Sequence, residues 1–91
     1  MKELIINGKE IESKETLHRV FSEGLSFPEW YGNNLDALND CLTDINEETL
    51  LKIENFGALR DNLGSYADKL KKVLRCASSE NEKITVDYIN E

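Results

Sequence analysis

Three aspartates recur at four-residue intervals in a stretch of the chain that has no basic residue. They are Asp36, Asp40 and Asp44, and residues 20–51 around them hold seven acidic side chains but no Lys or Arg. Carboxylates in this arrangement could ligate a divalent cation or bind the cationic side chains of another protein.

The spacing argues against a metal site. On a straight helix these aspartates spread over about 12 Å, at about 1.5 Å per residue, which is too far to surround one ion. The sequence has neither EF-hand spacing nor a cluster of Cys and His. We therefore expect no metal ion and no cofactor.

The sequence also lacks a recognisable catalytic group. His18 is the one histidine, next to the predicted core residue Leu17, and no Ser, Cys or second His completes a triad. Cys41 follows Asp40 in the acidic segment, where carboxylates raise the pKa of a thiol. We expect Cys41 and Cys76 to be reduced, buried structural thiols and the protein not to be an enzyme.

The net charge of the chain is concentrated in the acidic segment. The formal net charge is −7, and outside residues 20–51 the acidic residues equal the 11 Lys and Arg in number. Such a one-sided distribution favours attraction to a basic partner, and it disfavours nucleic acid because phosphate binding needs cationic side chains. The length suits a single domain, 1–91, and no apolar run could span a membrane.

The apolar periodicity predicts a small α/β fold. Strands are expected at residues 4–6, 49–53 and 84–89. Helices are expected after Ser13, after Asn33 or Asn34, and within residues 55–64. The clearest helix is expected from Ser65, which has capping-box spacing, and residues 78–82 are expected to follow its end. Strands separated by helical crossovers predict a three-stranded parallel sheet packed with helices, and they leave the strand order open.

The helix that carries the aspartates has a polar side opposite its predicted core side. Asp36, Asp40 and Thr43 fall within about 60° of one another, with Asn39 beside them. Like charges four residues apart slightly destabilise a helix, so the first two aspartates indicate a partner that compensates them. The predicted core side consists of Leu35, Leu38, Leu42 and Ile45.

Two aromatic residues, Trp30 and Tyr31, precede this helix. If a loop holds their rings beside the carboxylates, the segment has the composition of a protein-binding hot spot. The other possibility is a solvated acidic surface with both rings in the core under the loop.

The run PEWYGNNLDALNDCLT, residues 28–43, resembles the signature of the barstar family, which are small cytoplasmic inhibitors of secreted microbial ribonucleases. The resemblance continues more weakly along the chain, through Asn7-Gly8, Leu17-His18 and the strand at 84–86. It implies a barstar-like α/β fold, a small three-stranded parallel sheet with about four helices, in agreement with the periodicity.

The resemblance also implies how the acidic segment acts. Asp40 would take the place of an RNA phosphate among the Arg and His side chains of a basic, barnase-type ribonuclease, supported by Asp36 and Thr43, with Gly32 and Asn34 along the contact. A fixed carboxylate there competes with RNA. The residues that we expect to contact the partner are Trp30, Tyr31, Gly32, Asn34, Leu35, Asp36, Asn39, Asp40, Thr43, Asp44 and Glu47.

The sequence departs from the family pattern at Trp30, Asn39, Asp44, Ile45 and Cys76. Changes around a retained anchor commonly alter partner choice while preserving the binding mode. The alternative is an acidic module of the same fold that binds a different basic protein or toxin. In either case we expect a cytoplasmic protein, monomeric when free, with no signal peptide and no direct contact with nucleic acid or membrane.

Overall fold

Three parallel strands form the sheet, and their order in space is their order along the chain. The computed structural model describes residues 1–89, so the last two positions of the predicted domain lie outside the described residues. The strands are β1 (Lys2–Asn7), β2 (Thr49–Glu54) and β3 (Ile84–Ile89), with β2 in the centre. Leu51 of β2 lies opposite Leu4 on one side and Val86 on the other.

Four α-helices supply the crossovers that a parallel sheet requires. Helices α1 (Lys14–Gly24) and α2 (Leu35–Thr43) connect β1 to β2, and α3 (Phe56–Leu63) and α4 (Ser65–Glu80) connect β2 to β3. A short 3₁₀ helix, Gly8–Glu10, follows β1. The predicted three-stranded parallel sheet with about four helices is confirmed.

Two of the predicted helix starts are confirmed by their hydrogen bonds. The Thr16 N–H donates to the Ser13 hydroxyl at 3.1 Å, and the Ala37 N–H donates to the side-chain oxygen of Asn34 at 2.8 Å. Each bond satisfies one of the amides that a helix leaves unpaired at its first turn. Of the two asparagines that the sequence allowed as caps of α2, Asn34 is the one used.

Helix α4 begins at Ser65, as predicted, but its cap and its carboxyl end differ from the prediction. Gly64, at φ +62, ends α3 and is also the cap of α4, so Ser65 is the first helical residue and its side chain makes no cap hydrogen bond. Glycine adopts this left-handed conformation without steric cost, which allows one helix to follow the other directly. At the other end the helix runs through residues 78–80 to Glu80, because Ala77 is still fully buried and extends the apolar stripe.

Helix α2 packs on α4 through the middle of its predicted core side. Leu38 and Leu42 are fully buried, as are Leu70 and Leu74 of α4. Leu35 and Ile45, at the two ends of that side, are only half-buried. Within residues 1–89, none of the helices is both long enough and apolar enough to cross a membrane.

Candidate partner-binding site

The three aspartates of the acidic segment lie on the solvent side of α2. Asp36, Asp40 and the helix-ending Asp44 are all exposed, whereas Leu38 and Leu42 on the other side are fully buried. The predicted outward row of carboxylates is therefore present, and the helix backbone fixes the spacing between its members.

Within residues 1–89 none of these three aspartates forms a salt bridge, but another acid of the segment does. The Nζ of Lys2 lies 3.9 Å from a carboxylate oxygen of Glu47. Lys2 reaches Glu47 because β1 runs beside β2, and the Lys2 N–H donates to the Glu48 carbonyl at 2.8 Å. The acidic segment has no Lys or Arg of its own, but the parallel sheet brings Lys2, which is remote in sequence, to Glu47 as a counter-ion.

The turn before α2 is held by its own asparagines. The side-chain amide of Asn34 donates to the Gly32 carbonyl at 3.2 Å while its oxygen caps the helix. Asn33 has a positive φ of 52, a conformation that asparagine tolerates better than most residues. A Cβ on Gly32 would approach the Asn34 amide nitrogen to 3.0 Å, so the turn favours glycine there.

Trp30 and Tyr31 are neighbours in sequence but differ in exposure. The Trp30 side chain is 76% exposed, whereas Tyr31 is 6% exposed and packs its ring 5.0 Å from that of Phe27. The Tyr31 N–H donates to the Pro28 carbonyl at 3.0 Å, closing a turn that separates the two rings. Of the two possibilities that the sequence left open, Tyr31 takes the buried one, under the loop, whereas Trp30 is exposed.

His18 lies under this loop and links three parts of the chain. Its Nδ1 is 2.6 Å from the Tyr31 hydroxyl and its Nε2 is 2.6 Å from the Tyr66 hydroxyl, so α1, the loop and α4 meet at one imidazole. The ring is buried, and this desolvation lowers the pKa of His18. Burial likewise raises the pKa values of Tyr31 and Tyr66, so both keep their hydroxyl protons at neutral pH. His18 is therefore a buried structural residue that joins these three parts of the chain.

A side chain that the sequence did not single out fixes the other end of α2. The amide of Asn81, the residue after α4, donates to the carbonyl oxygens of Leu42 and Ile45 at 3.0 Å each. It thereby adds a second donor at the Leu42 carbonyl, which also accepts from the Ile45 N–H at 3.3 Å, and it gives the Ile45 carbonyl just beyond the helix a partner. Because these acceptors are more than 30 positions away in sequence, only the polar type of Asn81 and its place after a helix could have indicated a role.

The remaining polar residues of α2 differ in their surroundings. The Thr43 hydroxyl donates to the Asp40 carbonyl at 3.0 Å, and Asn39 is half-buried, with a side-chain oxygen that has no hydrogen-bond partner within residues 1–89. Cys41 is buried, and its pKa is raised by that burial and by the charges of Asp44 and Asp40.

Cys76 is exposed on α4, so the prediction that it is a buried thiol is wrong. Helix α4 turns its apolar side, which includes Leu74 and Ala77, toward the core, and position 76 lies outside that stripe. Both cysteines are unpaired thiols, as expected.

A groove of about 390 Å³ between α4 and β3 has the opposite charge to α2. Its lining includes Lys71, Lys72 and Arg75, with Val86 and Tyr88 of β3, and no residue of α2. The one acid in the lining, Asp68, is paired with Arg60 at 3.1 Å. The described part of the molecule therefore has an acidic side at α2 and a basic groove elsewhere.

Two comparisons with known proteins show which family the chain resembles. A family model described as Barstar (barnase inhibitor) matches residues 1–89. The chain is also 42% identical over 81 residues to a protein of Bacillus subtilis (strain 168) named "Putative ribonuclease inhibitor YrdF". The aligned region covers 88% of this chain and 89% of that protein. By its fold, its acidic helix and these matches, the chain belongs to the barstar (barnase inhibitor) family.

Proposed function

We propose that this protein inhibits a basic, barnase-type ribonuclease by covering its active site with the α2 surface that presents Asp36 and Asp40. The observation that supports this most strongly is that both carboxylates are exposed and unpaired within residues 1–89, on a helix with fixed ends. The match to the family of barnase inhibitors and the name of the Bacillus relative point to the same activity.

The mechanism is substitution of carboxylate for phosphate. A ribonuclease holds its substrate phosphate with cationic side chains, and a carboxylate placed among them satisfies the same hydrogen-bond donors. At an effective dielectric constant of about 20, two unit charges 4 Å apart attract each other by about 4 kcal/mol before the cost of desolvation. Asp40, near the middle of the exposed row, is the residue that we assign to the phosphate position.

The α2 surface is held in one arrangement before any partner binds. Asn34 fixes the start of the helix, Asn81 fixes its end, and the His18 contacts hold the preceding loop. A surface that is already ordered loses less conformational entropy on association, so more of the electrostatic attraction is retained as affinity.

The other residues are proposed to surround this centre. Trp30 offers its exposed ring, and Gly32, Asn34, Leu35, Asn39 and Thr43 complete the contact around Asp36 and Asp40. Asp44 and Glu47 extend it at the carboxyl end of α2, where Glu47 already has Lys2 as a counter-ion. Tyr31 contributes through the loop that it supports, because its side chain is buried.

The biological setting follows from the same proposal. The enzyme is a secreted ribonuclease, and the inhibitor acts in the cytoplasm before that enzyme is exported. We propose that the inhibitor is monomeric when free, since two copies cannot pair through their acidic surfaces, which repel each other.

An inhibition titration tests the proposal. Increasing amounts of the protein are added to purified barnase-type ribonucleases, and RNA cleavage is followed for the wild type, Asp36→Ala, Asp40→Ala and the control Asp87→Ala. Asp87 is also an exposed aspartate, but it lies on the edge strand β3. We expect stoichiometric inhibition by the wild type and the control, a weaker effect for Asp36→Ala and the largest loss for Asp40→Ala.

Two results would contradict the proposal. One is a wild-type protein that inhibits none of the enzymes, which would favour an acidic module for another basic partner. The other is equal inhibition by Asp40→Ala and Asp87→Ala, which would remove α2 from the contact.

A further inference from the structure

The exposed indole of Trp30 borders a depression that the phosphate-mimic mechanism does not use. This depression, the Trp30–Asp44 depression, has a volume of about 210 Å³ and lies between the loop before α2 and the end of that helix. Its lining includes Leu25, Phe27, Trp30, Cys41, Asp44 and Ile45.

The walls of this depression are mostly apolar, and one carboxylate lies among them. Leu25 and Cys41 are buried beneath it, and Phe27 and Ile45 are half-buried. Asp44 is exposed and has no salt bridge within residues 1–89. A solvent-exposed tryptophan next to an apolar recess is typical of a surface that binds another protein.

The chemistry of the lining selects among possible occupants. A purely apolar side chain would cover the Asp44 carboxylate and remove its water without replacing its hydrogen bonds. A lysine ammonium would supply a charge, but it is strongly hydrated and cannot bind a carboxylate through two parallel hydrogen bonds. An arginine places its aliphatic stem on the apolar walls, stacks its guanidinium on the indole and pairs with the carboxylate.

The position of Asp44 separates this occupant from the catalytic cations. Asp44 is four residues beyond Asp40, which corresponds to about 6 Å along a helix axis. Asp36 has the same spacing on the other side of Asp40 but is not in the lining of the depression, whereas Asp44 caps the end of α2 and lies in that lining. The side chain that Asp44 meets is therefore displaced by about one helical turn from the group that Asp40 binds, toward the carboxyl end of α2 and the depression.

We propose that the Trp30–Asp44 depression is a second subsite, which takes an arginine of the ribonuclease that lies outside its active site. This inference rests on the proposed function and adds the feature by which the protein distinguishes one ribonuclease from another. Ribonucleases that have an arginine at this position bind more tightly than those that have none.

A double-mutant cycle on a ribonuclease that the wild type inhibits tests the subsite. Dissociation constants are measured for Trp30→Ala, Asp44→Asn and the double variant, with Glu48→Gln as the control, because Glu48 is an exposed acid of the same segment outside the depression. We expect each single variant to raise the dissociation constant by about three- to tenfold. The double variant should raise it by a factor at least about twofold smaller than the product of the two single-variant factors, because both groups hold the same guanidinium. The control is expected to change the dissociation constant by less than about twofold.

The ribonuclease supplies the matching half of the experiment. Its arginines, both outside the active site and within it, are replaced singly by Lys and by Ala, and one replacement outside the active site is expected to abolish the effect of Asp44→Asn. Because the chain has one tryptophan, 5-fluorotryptophan gives a single ¹⁹F signal from Trp30. That signal should shift on complex formation with the wild-type enzyme and shift less with the Arg→Lys enzyme.

The inference is overturned if Trp30→Ala and Asp44→Asn act independently, if neither changes the dissociation constant, or if the arginine coupled to Asp44 is a catalytic one. In each case the loss of inhibition in Asp40→Ala would still support the proposed function. A wild type that inhibits no ribonuclease would instead overturn the proposed function and the subsite together.

Discussion

Asp40 and Leu42 are two positions apart on α2, but the side chain of Asp40 is exposed and that of Leu42 is fully buried. We expect Asp40→Ala to change the free energy of unfolding by less than about 0.5 kcal/mol, as surface substitutions usually do. Leu42→Ala should lower it by about 2 to 5 kcal/mol because it leaves a cavity in the core. Urea unfolding of both variants measures the difference, and a comparable loss in Asp40→Ala would contradict its assignment as a surface anchor.

His18 should make stability depend on pH. Burial lowers the pKa of His18 in the folded protein below the ordinary 6.5 of the unfolded chain. At a pH between the folded and the unfolded pKa, the unfolded chain therefore binds a proton that the folded chain does not. The free energy of unfolding should therefore be highest above about pH 6.5 and fall as the pH decreases through the folded pKa, by at most about 1.4 kcal/mol per pH unit.

Unfolding at pH 7.5, 6.5 and 5.5 tests this expectation, since Asp and Glu titrate mainly below that range. His18→Gln should be less stable at pH 7.5, because Tyr31 and Tyr66 lose their shared partner, and it should show a flatter pH dependence. An unchanged slope in the variant would show that another group is responsible.

Residue types predicted the exposed carboxylates, but they could not predict which of two adjacent aromatic rings is buried. Trp30 and Tyr31 both suit a loop or a core, and the choice depends on His18, whose hydrogen bond with Tyr31 joins residues 13 positions apart. The pair of Lys2 and Glu47 was missed for the same reason, because the parallel register brings the two together.

At the scale of elements, the two ends of α2 determine how firmly the acidic row is held. Asn81→Ala removes the donor to the Leu42 and Ile45 carbonyls, and we expect a loss of about 1 to 3 kcal/mol in the free energy of unfolding. It should also weaken ribonuclease binding, although Asn81 is outside the proposed contact, because the end of α2 becomes less ordered.

Asn34→Ala provides the comparison at the other end, where loss of the cap should cost about 0.5 to 2 kcal/mol. Ser78→Ala is a control on α4, since its hydroxyl donates only within its own helix, to the Arg75 carbonyl. If Asn81→Ala reduced stability but left the dissociation constant unchanged, the proposed link between helix ordering and affinity would be wrong.

Periodicity and capping residues were sufficient for the positions of the three strands and of α1 and α2. They gave the start of α4 but not its cap, because the sequence Gly64-Ser65 allows either residue to be the cap and the backbone conformation of Gly64 decides between them. The strand order was also undetermined, since crossover lengths permit several arrangements and packing of the helices selects one.

For the molecule as a whole, the charge distribution should govern the rate of association. The acidic α2 side attracts a basic enzyme over distances comparable with the Debye length, which is about 10 Å at 0.1 M salt and about 3 Å at 1 M. We expect the association rate constant to fall by at least about tenfold between these salt concentrations, and the dissociation rate constant to change much less. Stopped-flow mixing measures the rates, and an association rate independent of salt would contradict electrostatic steering.

The central claim is that the α2 surface occupies the position of RNA phosphate, and competition binding tests it most directly. The dissociation constant of the complex with a barnase-type ribonuclease is measured at increasing concentrations of a non-cleavable deoxydinucleotide that binds the active site. Our account predicts that the apparent dissociation constant rises in proportion to the nucleotide concentration without limit, because the two ligands exclude each other. A rise that levels off, or no rise, would mean that nucleotide and inhibitor bind together and that the acidic helix lies outside the active site.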